Sequence, residues 1–222
     1  MSSNIILTAS DKHDFEACLS TPAGTPKGGI VVIQEIFGVN VHIQQVVDRF
    51  AAAGYVAIAP ALFDRAGLNI KLEYDIDGIT KGRSLKDQVD SHSELDVKAA
   101  IDYLQAFGPT AVVGFCWGGS LSWRMATDQI NNLAAAISYY GGELPSLANR
   151  TAVCPFLAHF GVQDTSIPEE VARTFAAAQP GVQTYFYDAG HGFNCNHRGQ
   201  YDENSAKVAW DRTITFLNDH LV

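Results

Sequence analysis

Nowhere in the 222 residues do about 18 apolar side chains run together, so the chain lacks the stretch that a membrane-spanning helix needs. The four cysteines, Cys18, Cys116, Cys154 and Cys195, contain no C-x-x-C pair, which excludes zinc ribbons and thioredoxin-type redox motifs. Basic charge is scarce: 15 Lys plus Arg against 24 Asp plus Glu leave a formal net charge of -9, which argues against a nucleic-acid partner. No segment repeats or is biased enough to call low complexity. The opening residues, MSSNIILTASDKHDFE, show no basic leader ahead of an apolar run, and a cytoplasmic protein with no membrane partner is expected. What is present is ordinary globular composition, 47% hydrophobic and 18% charged, in a length that one domain over 1–222 can fill. A chain this long buries roughly 70% of the surface its unfolded form exposes, so it requires neither disulfides nor a structural metal. Nothing suggests an obligate dimer, and a monomer is expected.

Two strand-like stretches, Asn4 to Thr8 and Phe15 to Ser20, flank the polar turn Asp11 to Asp14 and predict an antiparallel hairpin. From Gly29 onward, apolar and β-branched runs alternate with helical periodicity. Strands are read at Ile30 to Ile33, Tyr55 to Ala59, Ala111 to Phe115, Ala134 to Tyr139, Pro155 to Phe160 and Thr184 to Tyr187. Helices are read near Val41 to Ala53, in a long stretch ending near Phe107, at Trp117 to Thr127, Glu169 to Gln179 and Ser205 to His220. In the long stretch, Ser93 and Asp96 stand at capping-box spacing, and Leu95, Ala99, Ile101 and Leu104 offer an apolar face. The pattern predicts a doubly wound, mostly parallel α/β sheet, with chemistry at the C-terminal ends of its strands. Residues 61–91 are broken by Gly67, Asp75, Asp77, Gly78 and Gly82 and are expected to form a cap or loop region over a site. Glu73, Asp75, Asp77 and Gly78 imitate the front of a calcium loop, but Ser84 stands where its bidentate carboxylate would be, so a polar surface loop is the better reading.

The strongest local signal is Gly114-Phe115-Cys116-Trp117-Gly118-Gly119, between a strand and a helix. It has the G-x-nucleophile-x-G spacing of a nucleophile elbow, with cysteine in place of serine. The turn strains the nucleophile's backbone and crowds its neighbours, hence the glycines. The helix N-terminus that follows favours negative charge on the sulfur and offers the Trp117 amide to an oxyanion. The alternative is a buried cysteine in a glycine-rich helix contact. A base and an orienting acid should follow the nucleophile in the order acid, histidine, each just past a strand. Asp164, in Phe160-Gly161-Val162-Gln163-Asp164, and His191, in Asp188-Ala189-Gly190-His191-Gly192-Phe193, stand at those places. Asp164 could instead cap the helix that begins near Pro168. Of the other histidines, His13 lies in the hairpin turn, while His42, His92 and His220 fall on helices and read as solvated. His159 reads as a packed strand histidine and His197 as a pocket wall. The tract Gln34-Glu35-Ile36-Phe37-Gly38 follows the strand whose loop normally supplies the second oxyanion amide, here that of Ile36, and it carries the carboxylate of Glu35.

Taken together, Gln34 to Asn40, the Gly-Phe-Cys-Trp-Gly-Gly elbow, Gly161 to Asp164 and Gly190 to Phe193 resemble the dienelactone hydrolases, or carboxymethylenebutenolidases, over nearly the whole chain. The resemblance implies an α/β-hydrolase fold and a Cys116, His191, Asp164 triad, with Glu35 bonding the resting thiol and joining its activation when substrate arrives. Well-studied members hold the substrate carboxylate with arginines, one of them a few residues after the catalytic histidine. Here Cys195 stands near that place, and the nearest arginine, Arg198, is seven residues after His191. Arg83 is a second candidate anchor, and Phe37, Tyr139, Tyr140 and Phe193 are candidate pocket residues, with one of the two tyrosines expected in the core. The expected activity is hydrolysis of a small carboxylic ester or enol-lactone through a thioester acyl-enzyme, with no metal and no organic cofactor. A redox-sensing thiol protein and a non-catalytic binding module on the same fold are the alternatives.

Overall fold

A computed structural model describes residues 2–129 and 132–222. The chain divides into two compact units, 1–112 and 113–222. In the first, β1 (Ser3–Thr8) and β2 (Asp14–Ser20) form the expected antiparallel hairpin, and β2 continues antiparallel onto β4 (Val56–Pro60). Strand β3 (Gly29–Ile33) pairs parallel with β4, so the local order is β1-β2-β4-β3. Both β3 and β4 are buried along their whole length, as their unbroken apolar sequences require of strands covered on both faces. Helix α1 (Val41–Ala52) starts at Asn40, whose side chain accepts from the Ile43 amide, and buries Ile43, Val46, Val47 and Phe50.

Residues 61–75 hold a short 3-10 turn, Leu62–Arg65, and otherwise no regular structure, while helix α2 (Ile76–Leu104) corrects the expected loop over 76–91. The glycines that interrupt the sequence periodicity serve close packing there. A Cβ at Gly78 would lie 2.0 Å from the Glu73 carbonyl oxygen, and one at Gly82 would lie 2.0 Å from that of Ile36. Asp75 caps the helix by accepting from the Gly78 amide at 2.7 Å, which accounts for the calcium-like acidic cluster as a helix start. Ser93 and Asp96 accordingly fall in mid-helix. Ser93 donates to the Val89 carbonyl, and Asp96 receives the Arg65 guanidinium. The buried face runs through Leu85, Val89, Val97, Ala100, Ile101 and Leu104, so Val97 and Ala100 take the place expected of Leu95 and Ala99.

Strand β5 (Thr110–Phe115) crosses the division between the units. In the second unit the order is β5-β6-β7-β8, with β6 (Ala135–Tyr139), β7 (Phe156–Gly161) and β8 (Gln183–Tyr187) paired in parallel. Helices α3 (Trp117–Ala126), α4 (Glu169–Ala178) and α5 (Glu203–Leu221) intervene or follow. Trp123 of α3 packs edge-on against Phe156 and Phe175, which anchors α3 and α4 on this side of β7. Among the described residues, no helix is long and apolar enough to cross a membrane.

Candidate active site

Cys116 occupies the N-cap of α3 with φ 55° and ψ −115°, a conformation that costs a non-glycine residue about 1–3 kcal/mol and persists only where its surroundings enforce it. The enforcing contacts are local. The Cys116 amide donates to the Tyr139 carbonyl at the end of β6, and the Cys116 carbonyl accepts the first helical bond from Ser120. A Cβ at Gly114 would come 1.8 Å from the Gly118 carbonyl oxygen. One at Gly119 would meet Ser138 Oγ and the Tyr139 carbonyl at 2.7 Å. The turn therefore closes only with glycine at these positions, and it leaves the cysteine partly exposed.

The two loops that carry the other expected members are stitched to each other. Val162 donates to the Tyr187 carbonyl, Gln163 donates to that of Ala189, and the Gln163 side chain reaches Asp188 at 2.7 Å. A Cβ at Gly161 would lie 2.2 Å from the Ala189 carbonyl oxygen, so this approach needs glycine too. Asp164, only 3% exposed, uses its two oxygens differently. Oδ1 accepts from the Ser166 and Ile167 amides at 2.7 and 3.1 Å, and Oδ2 accepts from His191 Nδ1 at 2.7 Å. The expected helix cap is thus an Asx turn ahead of α4, whose own N-cap is Pro168, and the same carboxylate still orients the histidine.

With Nδ1 engaged, the remaining ring nitrogen of His191 is the one that bonds Cys116. Burial works to lower the pKa of this imidazole. The charge on Cys116 and the bonds to Asp164 and Cys116 outweigh it and raise the pKa from 6.5 to about 10. The arrangement therefore favours a protonated imidazole beside the elbow cysteine. Tyr140, held at φ 41°, packs its ring 5.1 Å from that of His191, and Phe193 packs against Tyr140. Arg198 folds back over Gly192, whose φ is +83°. Its guanidinium lies 2.5–2.9 Å from where a Cβ would stand, which sets a cation beside the catalytic loop.

In the first unit, Glu35 is fully buried just past β3, and its Oε2 accepts from Tyr74 Oη at 3.1 Å. Tyr74 also packs at a tilt against Phe37, with ring centres 4.4 Å apart. The sequence reading missed Tyr74 because it lies in the irregular stretch before α2. The Ile36 carbonyl is the group that excludes a side chain at Gly82. Arg83 is an exposed residue of α2. Trp117 is buried in the first turn of α3. Tyr139 and Tyr140 are both fully buried, so the core holds the pair and not one of them; Tyr139 bonds Thr213 at 2.7 Å. His159 is fully buried and bonded at both ring nitrogens, as a packed strand histidine should be. His42 is buried, against the expectation of a solvated residue, because α1 turns that face inward. His92, His197 and His220 are exposed and His13 is half-buried. Cys18 and Cys195 are buried, and burial pushes the Cys154 thiol up to about 11, as befits packing residues.

Mostly parallel strands with an antiparallel N-terminal hairpin, alternating with helices and carrying a strained cysteine at a strand-to-helix elbow, define the α/β-hydrolase class. Residues 15–221 match the model of the dienelactone hydrolase family, and the chain belongs to that family. A Synechocystis protein provisionally named carboxymethylenebutenolidase is 37% identical over 86% of both chains. The Pseudomonas putida carboxymethylenebutenolidase is 29% identical over 98% of this chain and 96% of its own. A crystal structure from Klebsiella pneumoniae, provisionally named dienelactone hydrolase, superposes with a TM-score of 0.87 at 28% identity, covering 98% of each chain. The protein is accordingly a hydrolase of the dienelactone hydrolase type, acting on the ester and lactone class of bond.

Proposed function

We propose that this hydrolase cleaves a small carboxylic ester or enol-lactone through Cys116, His191 and Asp164. The observation that carries the reading is the 2.7 Å bond from His191 Nδ1 to Asp164, made by a histidine whose other nitrogen bonds the elbow cysteine. The Cys116 thiolate adds to the carbonyl carbon, and collapse of the tetrahedral intermediate breaks the carbon–oxygen bond of the ester. The departing oxygen takes the His191 proton, leaving a thioester on Cys116. His191, now neutral and held by Asp164, deprotonates a water that attacks the thioester. The acid product leaves and the thiolate–imidazolium pair is restored. The family resemblance adds Glu35 to the activation of the thiol and the Ile36 and Trp117 amides as oxyanion donors. Loss of one such donor typically costs about 100- to 1000-fold. The guanidinium of Arg198, folded over Gly192 beside His191, favours a substrate that carries a carboxylate.

The test is steady-state hydrolysis of a dienelactone and of an aryl acetate by wild type and Cys116→Ala, with mass spectrometry of the quenched wild type. Faster lactone than acetate turnover, abolished in Cys116→Ala, and an acyl adduct on Cys116 are expected. Wild-type rates in Cys116→Ala would overturn the nucleophile. A sulfenate on Cys116 without turnover would replace the reading with a redox-sensing thiol, and neither adduct nor turnover would replace it with a binding module.

A further inference from the structure

We propose that His159, which the reaction itself does not use, is a positioning residue: it is the hub of a buried hydrogen-bond chain that holds the ends of β6, β7 and β8 in the register the triad requires. The inference rests on the triad reading above. His159 lies in β7 and is fully buried, flanked in the parallel register by Tyr139 of β6 and Tyr185 of β8. Its Nδ1 is 2.7 Å from Tyr187 Oη, and its Nε2 is 3.1 Å from Thr213 Oγ1 of α5. Thr213 in turn is 2.7 Å from Tyr139 Oη. At the outer end Arg212 lies over the Tyr185 ring, 3.8 Å from its centre, and bonds Tyr187.

The permanent cation sets the direction of this chain. Arg212 has only donors, so Tyr187 Oη accepts from it and gives its own proton to His159 Nδ1. Nε2 then carries the ring proton and donates to Thr213. Burial, with the Arg212 charge added, holds the imidazole pKa down at about 3, so the ring stays neutral and can be donor on one side and acceptor on the other.

Strands β7 and β8 lead into the loops of Asp164 and His191, and the end of β6 supports Cys116, which itself follows β5. The Tyr139 carbonyl holds the Cys116 amide, and the next residue, Tyr140, donates its amide to the His159 carbonyl at 2.8 Å while its ring lies against His191. Strand β7 runs on into the Asp164 loop. The Tyr187 carbonyl receives both Val162 and Ala189, the first residues of the acid and histidine loops. A plain apolar residue at 159 would fill the core but would leave the strand ends free to slide by fractions of an ångström. Misplacement by about 1 Å is enough to cost roughly 100-fold in rate.

The test compares His159→Leu, Tyr187→Phe and Thr213→Val with the conservative His159→Gln, whose amide can accept from Tyr187 and donate to Thr213. A control is Phe175→Leu, a core lesion in α4. We expect the first three to lower kcat by about 10- to 100-fold with KM nearly unchanged and to shift the His191 ring signals in NMR. His159→Gln should retain most of kcat, and Phe175→Leu should lose comparable Tm while keeping kcat. Nitrogen NMR of the wild type should show His159 as the Nε2–H tautomer. Wild-type kcat and unshifted His191 signals in Tyr187→Phe and Thr213→Val, or an Nδ1–H tautomer, would overturn the inference, and these two milder variants carry the test if His159→Leu fails to fold. Turnover that does not depend on Cys116 would instead overturn the triad reading, which the Cys116→Ala control detects separately.

Discussion

Replacing Asp164 by asparagine should remove nearly all activity while leaving the fold intact, because the two oxygens of Asp164 have different jobs. Oδ1 is fixed by the Ser166 and Ile167 amides at 2.7 and 3.1 Å, and only an oxygen can accept from them. The asparagine must therefore keep its carbonyl there and turn its NH2 toward His191, where Oδ2 now accepts at 2.7 Å. An NH2 group cannot accept from Nδ1, so the imidazole adopts the other tautomer, with Nδ1 accepting and its proton on the nitrogen that faces Cys116. The neutral ring then cannot take the thiol proton, and the positive form loses its counter-charge. A triad acid changed in this way in a serine protease costs about 10⁴-fold in kcat, which corresponds to about 5 kcal/mol of transition-state stabilisation. Asp164→Ala should differ in kind, since it takes the acceptor from the Ser166 amide and from the buried Ile167 amide, and should lower stability by about 1–3 kcal/mol, chiefly at Ile167. The assay is aryl acetate hydrolysis alongside urea unfolding of both variants. A loss of less than tenfold in Asp164→Asn, or equal destabilisation by Asn and Ala, would refute the reasoning.

Other outcomes follow from the same geometry. The His191 pKa is raised from 6.5 to about 10, so the stability this proton supplies is complete below about pH 6.5 and is lost as pH rises through 10. Cys116→Ala removes the largest raising influence, so its unfolding free energy should fall less steeply between pH 7 and 10 than that of wild type, and equal slopes would contradict the ion pair. Gly192→Ala adds a Cβ at φ +83° within 2.5 Å of the Arg198 guanidinium. It should cost about 1–2 kcal/mol in stability and raise KM for carboxylate-bearing lactones more than for neutral acetates. Equal effects on the two KM values would remove Arg198 from substrate binding. Arg65→Met leaves the Asp96 carboxylate, whose side chain is fully buried, without its partner at 2.7 Å, and should destabilise by about 3–5 kcal/mol in urea. A change below about 1 kcal/mol would show that Asp96 is solvated.

The catalytic candidates were legible in the sequence because the fold places them by local rules. Gly114 and Gly118 mark the elbow spacing around Cys116, and glycine-containing loops just after two strands hold Asp164 and His191. Similar local logic misled around residues 76–91. There Gly78 and Gly82 read as helix breakers, but they clear the Glu73 and Ile36 carbonyls for a helix that passes against them. The Glu73 carbonyl is five positions from Gly78 but registers as no period, and the Ile36 carbonyl is 46 positions from Gly82, outside any window of periodicity. Tyr74 was hidden for a related reason, since its partners Glu35 and Phe37 are brought to it by β3 and the chain ahead of α1.

By itself the sequence determined most of the strands and helices and the order in which they come, the first half of α2 excepted. It also placed the candidate nucleophile, acid and base just past strand ends, because period, glycine placement and chain order are properties of short stretches. Only the tertiary structure decided how those groups are tuned. The division of labour between the oxygens of Asp164, the raised proton affinity of His191 and the single direction of the Arg212–Tyr187–His159–Thr213 chain each depend on atoms from separate elements meeting within about 3 Å. Hydrogen-bond direction and local charge exist only once those atoms are together, and strand register is what brings them there.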